Sequence, residues 1–468
     1  MSTPEHQQTR SPKIPCRSFP ALLLLVLVSR PVSANPLLGL HALRAAAAAA
    51  MKGSAAASDS KGAATATDAT AKGDALAQES PIVIKLWASS VPVAGRLAAK
   101  LPLDADEAFY VGKVNVGAQD FSVLFDTAAG NLILPSAGCS NSTCLERRRY
   151  TPRASASARP VSLSKTPLAG AMAADTIDIE FDQIELGNGM VTGELWRDTV
   201  CLQAASGSGG SAMPCTDLGL VAATEVSEVP FRSMPHDGML GLGLDGLVAA
   251  SPLFSFMRRL SSTTGDRLQP QFTLAARGPW AELTFGGPGA AFSRASPPVW
   301  RDVARVEDGY WQVRIHSIRV GNITVDHCEQ GCRGIIDTGA ARLGVPAATV
   351  PKLSAAITAT MGTTGSGAGC SGPDLQLDLG AGEALKLRAA DYYGPSCNSP
   401  RLTPLNLGEG FEGVIVLGLS VLRRYDTIFD WGALRVGFAL NAPRAVRLGS
   451  GALLGDEGGA LTPSVTFV

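Results

Sequence analysis

Two stretches of this chain repeat one pattern, VLFDTAAGNLILP at residues 123–135 and GIIDTGAARLGVP at residues 334–346. In both copies apolar residues lead into an Asp-Thr pair, and Ala, Leu and Pro follow three, six and nine positions after the Asp. The two acids, Asp126 and Asp337, are 337 − 126 = 211 positions apart. A strand-and-loop pattern that occurs twice predicts two similar lobes, each of which contributes one carboxylate to a shared cleft.

Each copy is followed by two apolar residues and a Gly, at Met239–Gly241 and at Val416–Gly418. Two carboxylates that lie close together do not both ionise readily, so one pKa falls and the other rises. Such a pair holds one proton as a unit. Its ionised member can take a proton from a water while its protonated member donates to a carbonyl. The repeat therefore indicates hydrolysis of an amide without a covalent intermediate.

The rest of the chain has the pattern of a β protein. Alternating runs with β-branched residues, typical of strands, occur at 109–117, 121–127, 176–186 and 310–320. The best helix candidates are 252–262 and 346–361. The chain has 51 glycines and only 6% aromatic residues, which suits a β-rich protein with many turns. We predict a mostly β fold with short helices.

The charge balance excludes one class of partner. The chain has 40 basic and 41 acidic residues, a net charge of −1. A nucleic-acid partner would require a basic surface, so none is expected. The five histidines do not have the spacing of metal ligands. We therefore expect no metal and no cofactor.

The N-terminal part of the chain predicts a secretory route. In residues 1–34 an apolar run of about ten residues, too short to span a bilayer, precedes a small-residue cleavage site, which predicts a signal peptide. A signal anchor is the alternative. Residues 35–106 are predicted to be a low-complexity pro-segment whose stretch 81–90 is strand-like. No segment after the signal is long and apolar enough for a membrane helix, and residues 446–468 are predicted to be a tail.

Eight cysteines remain after signal cleavage, and in a secreted chain this even number predicts four disulfides. They are Cys139, Cys144, Cys201, Cys215, Cys328, Cys332, Cys370 and Cys397. We expect the first two to bond to each other, and likewise the pair at 328 and 332, because they are close in sequence. The pairing of the other four stays open. Two glycosylation sequons, at Asn141 and Asn322, fit the same compartment.

The order of motifs resembles that of the pepsin-like aspartic proteases, peptidase family A1, and the chain looks like a divergent member. The two lobes of that family each carry a loop of hydrophobic residues followed by Asp-Thr-Gly. Eight stretches have a counterpart in the same order: 108–127, 138–144, 187–200, 237–244, 283–287, 308–315, 328–339 and 414–439. Each motif alone is weak, but eight in one order leave little room for chance.

The resemblance implies a bilobal pepsin-like acid protease fold, in which two similar antiparallel β lobes, 107–293 and 294–445, flank a central cleft. It implies an aspartic endopeptidase, made as a zymogen, that acts on polypeptides as a monomer and is secreted or resides in a vacuolar or lysosome-like organelle. The implied site residues are the catalytic Asp126 and Asp337, the dyad-supporting Thr127, Thr338, Ala128 and Gly339, and the flap residues Leu186, Gly187, Asn188 and Gly189. We also expect Lys85, a cation in the strand-like stretch, to lie against the two acids in the precursor.

The chain departs from the family pattern beside the two acids. Ala128 replaces a Gly, and its β-carbon costs about 1 kcal/mol if φ must be positive. Ala129 and Ala340 replace Ser or Thr residues whose hydroxyls would bond the carboxylates. The loss of a hydrogen bond to the charged form raises a pKa. We therefore expect a pH optimum nearer neutral than that of gastric pepsin.

Three further residues depart from the family pattern. Leu186 stands where the family has the flap Tyr, Ile133 where it has a Trp, and Leu419 where it has Asp or Ser. These changes leave a second hypothesis open, a catalytically weak or inactive protein that binds a peptide or protein in the cleft. The enzyme hypothesis is favoured because both acids are retained, and two buried, facing carboxylates cost stability.

Overall fold

The computed structural model describes residues 80–90, 108–163, 174–183, 187–203, 214–292, 296–360, 370–393, 400–408 and 410–441. All of them belong to one compact unit, Thr67–Val468. The strands are β1 Ile82–Ser90, β2 Ala108–Val116, β3 Gln119–Asp126, β4 Leu132–Pro135, β5 Arg159–Pro160, β6 Thr176–Gln183, β7 Gly187–Leu202, β8 Cys215–Val226, β9 Gly238–Gly241, β10 Gln271–Ala276, β11 Trp280–Phe285, β12 Val299–Asp302, β13 Gln312–Ile315, β14 Ser317–Val320, β15 Ile323–Asp326, β16 Cys332–Ile336, β17 Leu343–Pro346, β18 Leu375–Gly380, β19 Glu383–Leu387, β20 Leu402–Leu405, β21 Val414–Leu417, β22 Tyr425–Asp430 and β23 Arg435–Leu440.

The helices are short. They are α1 Ser142–Leu145, α2 Phe256–Thr264, α3 Val350–Thr360, α4 Ala389–Tyr392 and α5 Leu419–Leu422. The two predicted helices are confirmed as α2 and α3. The Ser255 hydroxyl accepts the Arg258 N–H at the start of α2, and Gly265, with φ of 57°, ends that helix. Among the described residues no helix is long and apolar enough to cross a membrane.

The two sequence repeats form equivalent parts of the fold. β3 pairs in parallel with β9, β9 pairs antiparallel with β4, and β4 pairs in parallel with β8. The strands β16, β21, β17 and β20 reproduce this order and these directions. The register matches as well, since Leu132 pairs with Leu240 and Leu343 pairs with Leu417. The prediction of a mostly β fold with two similarly built halves is confirmed.

One sheet of 14 strands joins the two halves. Its order is β12-β23-β22-β10-β11-β1-β2-β3-β9-β4-β8-β7-β5, and β6 pairs with β7. Two smaller sheets, β13-β16-β21-β17-β20 and β15-β14-β18-β19, belong to the second half. β10, in the first predicted lobe, pairs with β22 of the second, so the large sheet crosses the predicted boundary at 293/294. Residues 293–295 themselves lie outside the described residues.

Strand β1 lies in the centre of the large sheet, although it belongs to the predicted pro-segment. It pairs with β11 on one side and with β2 on the other. Its side chains alternate between the two faces, with Ile84 and Leu86 each 1% exposed and Trp87 55% exposed. Leu86 packs over Gly112, where an added β-carbon would lie 2.6 Å from the Leu86 Cδ2 atom.

The inner face of β1 supports the loops that carry the sequence repeats. Leu86 lines a small cavity of about 10 Å³ together with Phe125, Thr127 and Thr338. The predicted segment 35–106 therefore contributes a strand that lies under the site. A cleavage that removed this whole segment without replacing β1 would expose the buried side chains of its neighbours.

The expectation that Lys85 lies against the two acids is wrong. The Lys85 Nζ atom is 2.8 Å from the Glu282 Oε2 atom and 4.6 Å from the centroid of the Trp280 ring. Because successive side chains of a strand point to opposite faces, Lys85 lies on the face away from Leu86. It therefore stabilises the contact between β1 and β11 instead of contacting the site.

We predict that Leu86→Asp lowers the free energy of unfolding by at least about 3 kcal/mol, because it places a charge in the core and opens a cavity. Trp87→Asp, on the exposed face of the same strand, should cost less than about 1 kcal/mol. Urea unfolding of both variants measures the difference. Equal losses in the two variants would show that β1 is not a buried strand of the sheet.

Candidate active site

The two predicted catalytic acids come from equivalent loops. Asp126 is the last residue of β3, and Asp337 directly follows β16. Both side chains are buried, with exposed fractions of 4% and 8%. The Asp126 Oδ1 atom accepts the Ala128 N–H at 2.8 Å, and the Asp337 Oδ1 atom accepts the Gly339 N–H at 2.7 Å. The same turn thus holds each carboxylate.

Two buried threonines tie these loops to each other. The Thr127 N–H donates to the Thr338 Oγ1 atom at 3.0 Å, and the Thr338 N–H donates to the Thr127 Oγ1 atom at 3.1 Å. The Thr127 hydroxyl donates to the Ile336 carbonyl at 2.8 Å, and the Thr338 hydroxyl donates to the Phe125 carbonyl at 2.7 Å. This symmetric set of four bonds fixes the distance between the two loops. We call it the threonine grip.

Gly339 lies close to both carboxylates. A β-carbon on Gly339 would be 2.9 Å from the Asp126 Oδ2 atom and 3.1 Å from the Asp337 Oδ1 atom. These two oxygens are therefore at most 2.9 + 3.1 = 6.0 Å apart. A single water can bridge that separation with two hydrogen bonds of about 2.7–3.0 Å. The two carboxylates are therefore close enough to share one water, and a β-carbon at Gly339 would contact both.

Ala128 is not strained by a left-handed backbone. Neither Ala128 nor Gly339 has a positive φ. The cost considered for a positive φ at Ala128 therefore does not arise. Gly339 leaves space beside the acids because it has no β-carbon. Ala128 occupies the equivalent position in the other loop and does have one.

Burial changes the acidity of Asp126. Loss of solvent raises the pKa of this carboxyl from 3.8 to about 6, and the backbone N–H groups of Ala128 and Ala129 partly oppose the rise. Ala129 and Ala340 bring no hydroxyl to the site that could stabilise the ionised form. The direction agrees with the rise in pKa expected from the sequence, although its main cause is burial and not the missing hydroxyls.

The sequence of this chain matches a known family. The family model for eukaryotic aspartyl proteases covers residues 109–441. The chain belongs to this family. Cathepsin E of Cavia porcellus is 27% identical over 357 residues, which is 71% of this chain and 81% of the relative. Pepsin II-1 of Oryctolagus cuniculus is 27% identical over 356 residues, 73% of this chain and 82% of the relative.

Strands β6 and β7 of this aspartyl protease homologue form the hairpin that carries the predicted flap residues. β6 pairs with β7 up to Gln183 and Gly187, and the pairs include Phe181 with Gly189. Leu186, at the predicted tip, lies outside the described residues. Gly189 packs closely on the next loop, because an added β-carbon would lie 2.8 Å from the Phe231 Cε2 atom. The base of the predicted flap is therefore held by residues 227–231.

A cavity of about 40 Å³ lies behind this hairpin, and sequence reasoning missed its polar residues. His236 is 6% exposed, and neither of its ring nitrogens has a hydrogen-bond partner. Burial and the nearby Arg147 lower the pKa of His236 from 6.5 to about 4. The Gly238 backbone opposes this shift, although it makes no well-formed hydrogen bond to the ring. A lone His and an Arg within an Arg run carry no spacing signal, so the sequence did not mark them.

The disulfides follow the sequence expectation. Cys139–Cys144 and Cys328–Cys332 are confirmed, and Cys201 bonds to Cys215 across β7 and β8. Cys370 is also disulfide-bonded, and Cys397 lies outside the described residues. In the part of the chain that the structure describes, one group with metal-ligand types occurs close together, at Asp326, Cys328 and Cys332. Two of its three ligand atoms are the sulfurs of a disulfide, so it does not offer thiolates.

The two sequons differ in their surroundings. The Asn141 Oδ1 atom accepts the Cys144 N–H at 2.9 Å, and its Nδ2 atom donates to the Val226 carbonyl at 2.7 Å. Asn322 is exposed in the turn between β14 and β15. The side-chain amide of Asn322 is therefore the more accessible to modification in the folded protein.

We predict that Asp126→Asn stabilises the fold at pH 7 by up to about 3 kcal/mol. Folding raises the pKa of Asp126 from 3.8 to about 6, and each unit of this rise costs the folded protein about 1.36 kcal/mol when the carboxyl is ionised. A pKa that is raised by folding stabilises the fold below 3.8, and this contribution is lost as the pH rises through 6. The gain of the variant should therefore vanish at pH 3.5. Chemical denaturation at the two pH values tests it, with the exposed Asp266→Asn as control. A gain of the same size at both would contradict the assignment.

Proposed function

We propose that this chain is an aspartic endopeptidase in which Asp126 and Asp337 share one proton and activate a water. The observation that carries the proposal is the separation of their oxygens, at most 6.0 Å across the space left by Gly339. Membership of the aspartyl protease family supports the same chemistry in general terms. An inactive protein that binds a polypeptide in the cleft is the alternative.

The mechanism follows from two neighbouring carboxylates with one proton between them. The ionised member accepts a proton from the bridging water, and the resulting nucleophile attacks the peptide carbonyl. The protonated member donates to the carbonyl oxygen, so that charge does not accumulate in the buried site. When the tetrahedral intermediate collapses, a proton passes to the leaving amine. The threonine grip holds both acids in position during these transfers.

The test is proteolysis of an unfolded protein by the purified chain across pH 3–8. We expect Asp126→Asn and Asp337→Asn each to reduce kcat/KM by at least about a thousandfold, because each removes a proton-transfer partner that contributes up to about four orders of magnitude. Activity of the wild type should fall on the alkaline side near pH 6, where Asp126 ionises. Equal residual activity in wild type and both variants would overturn the enzyme proposal, and a maximum below pH 3 would contradict the expected acidity.

A second substitution tests the geometry of the pair. Gly339→Ala would put a β-carbon 2.9 Å from the Asp126 Oδ2 atom, in the space proposed for the water. We expect kcat to fall at least about a hundredfold, since small displacements of reacting groups have large effects on rate. The mirror substitution, Ala128→Gly, removes a β-carbon and should leave kcat within about threefold. Similar kcat values for the two variants would show that catalysis does not require the space beside Gly339.

The compartment belongs to the same proposal. Three described disulfides and the bonded Cys370 favour an oxidising environment such as the secretory pathway. The signal peptide, the zymogen, the glycans and the monomeric state stay predictions. Because β1 is a central strand, we propose that the active form keeps Ile82–Ser90 in the sheet. N-terminal sequencing of the active protein tests this. The proposal is contradicted if the active chain begins after Ser90 and no separate peptide with Ile82–Ser90 stays bound to it.

A further inference from the structure

The hairpin of β6 and β7 extends beyond the strand that pairs with it from the sheet. The pairing of β7 with β8 begins at Val191, whose partner is Val226. The pairing of β7 with β6 starts earlier, at Gly187 and Gln183. Residues 187–190 therefore lie beyond the last pair with β8, and their position depends on what else supports the hairpin.

The loop between β8 and β9 supports this part of the hairpin, and we call its residues 227–237 the support loop. The Met190 N–H donates to the Ser227 Oγ atom at 2.9 Å, and the Met190 carbonyl accepts the Ser227 N–H at 3.0 Å. The Phe231 ring packs edge-on against Phe181 of β6, with the ring centroids 5.2 Å apart. A shift of the support loop would therefore shift the hairpin.

The guanidinium group of Arg147 binds three carbonyls of the support loop. Its Nε atom donates to the His236 carbonyl at 2.9 Å, and its Nη2 atom donates to the Met234 carbonyl at 2.8 Å and to the Phe231 carbonyl. Its Nη1 atom donates to the Thr143 carbonyl of α1. A planar fork with five donors suits such a set of acceptors. One side chain thus connects α1 to the loop on which the hairpin rests.

The segment from which Arg147 reaches the support loop is itself held in place. The disulfide Cys139–Cys144 closes the turn that contains α1. The Asn141 Nδ2 atom donates at 2.7 Å to the carbonyl of Val226, which directly precedes the support loop. This segment therefore holds the support loop both at its start and near its end.

The strand that follows the support loop has other supports. β9 pairs with β3 on one side and with β4 on the other. The Asp237 N–H donates to the Ser122 carbonyl, and the Ser122 N–H donates to the Asp237 Oδ2 atom, both at 2.8 Å. Loss of the Arg147 bonds should therefore displace the hairpin and leave β3, which carries Asp126, in place.

The base of the hairpin packs on the face of the sheet that carries the Asp126 side chain. Val191 of β7 and Met239 of β9 line one cavity. Met239 pairs with Leu124, and Asp126 is two positions further along β3. Alternate residues of a strand share a face, so Leu124 and Asp126 lie on the side on which the hairpin packs.

We propose that Arg147 is a positioning residue for polypeptide binding, because through the support loop it sets the position of the β6–β7 hairpin. The proposal rests on the function proposed above and on the hairpin being the flap. A contact that a polypeptide makes equally before and during the reaction affects KM and not kcat. Loss of the Arg147 bonds therefore acts on KM, while kcat and the pH dependence set by the two acids are retained.

The kinetic test compares Arg147→Met with Arg148→Met, in which the neighbouring exposed arginine loses its bond to the Asp120 carbonyl. The substrate is a peptide with one cleavage site of the unfolded protein used above. We expect KM of Arg147→Met to rise about tenfold, with kcat within about threefold and the alkaline limb still near pH 6. Arg148→Met should match the wild type. A purely structural role would leave KM unchanged below the unfolding temperature.

Hydrogen exchange observes the hairpin without cleavage. Amides of residues 189–192 should exchange at least about tenfold faster in Arg147→Met than in Arg148→Met, while residues 122–126 of β3 stay unchanged. If Arg147→Met does not fold, Arg147→Lys takes its place, and because it keeps a charged donor the expected rise in KM is at least about threefold. An unchanged KM, a fall in kcat alone, or unaltered exchange of the hairpin overturns the proposal.

Binding separates this proposal from that of catalysis. If the wild type cleaves nothing, the enzyme proposal fails, and the Kd of the unfolded protein, measured by calorimetry, takes the place of KM. A Kd about tenfold higher for Arg147→Met than for Arg148→Met supports the positioning role in a protein that only binds. Equal Kd values, or no binding, overturn it.

Discussion

The threonine grip is the constraint on which the site depends. Thr127 and Thr338 are 1% and 6% exposed, and each uses both its N–H and its hydroxyl across the interface of the two loops. Removal of either hydroxyl would leave buried partners unpaired, which is costly. None of these bonds involves the side chains of Ala128, Ala129 or Ala340. The loops can therefore keep their relative position although the residues around them differ from the family pattern.

The grip is itself supported by buried side chains from distant parts of the chain. Leu86 of β1 lies beneath both threonines. Trp311 is fully buried, and its Nε1–H donates to the Leu242 carbonyl, just beyond β9. Its backbone carbonyl accepts the Ile336 N–H, directly before Asp337. The first half of the protein and the second are thus joined at the base of both loops, and a change in either support acts on both acids.

The sequence predicted those features that depend on short spacing. The Asp-Thr loops, two local disulfides and two helices were recognisable because each involves residues that are close together in the sequence. The face of the sheet on which the Lys85 side chain lies could not be predicted, because it depends on strand register. A shift of the register by one residue exchanges the two faces. The backbone angle of Ala128 also required coordinates. The cavity at His236 is formed by α1, β4, β7, β8, β9 and two loops, and no single stretch of sequence carries that pattern.

Burial acts on two titratable groups of the first half in the same physical way but with opposite consequences for stability. It raises the pKa of Asp126 from 3.8 to about 6 and lowers that of His236 from 6.5 to about 4, because in each case it favours the neutral form. As the pH rises from about 4 to 6, the Asp126 contribution to stability falls. Over nearly the same interval the His236 contribution rises, since the unfolded imidazole binds the proton that the folded one does not. The two shifts act in opposite directions, so each offsets part of the effect of the other on stability.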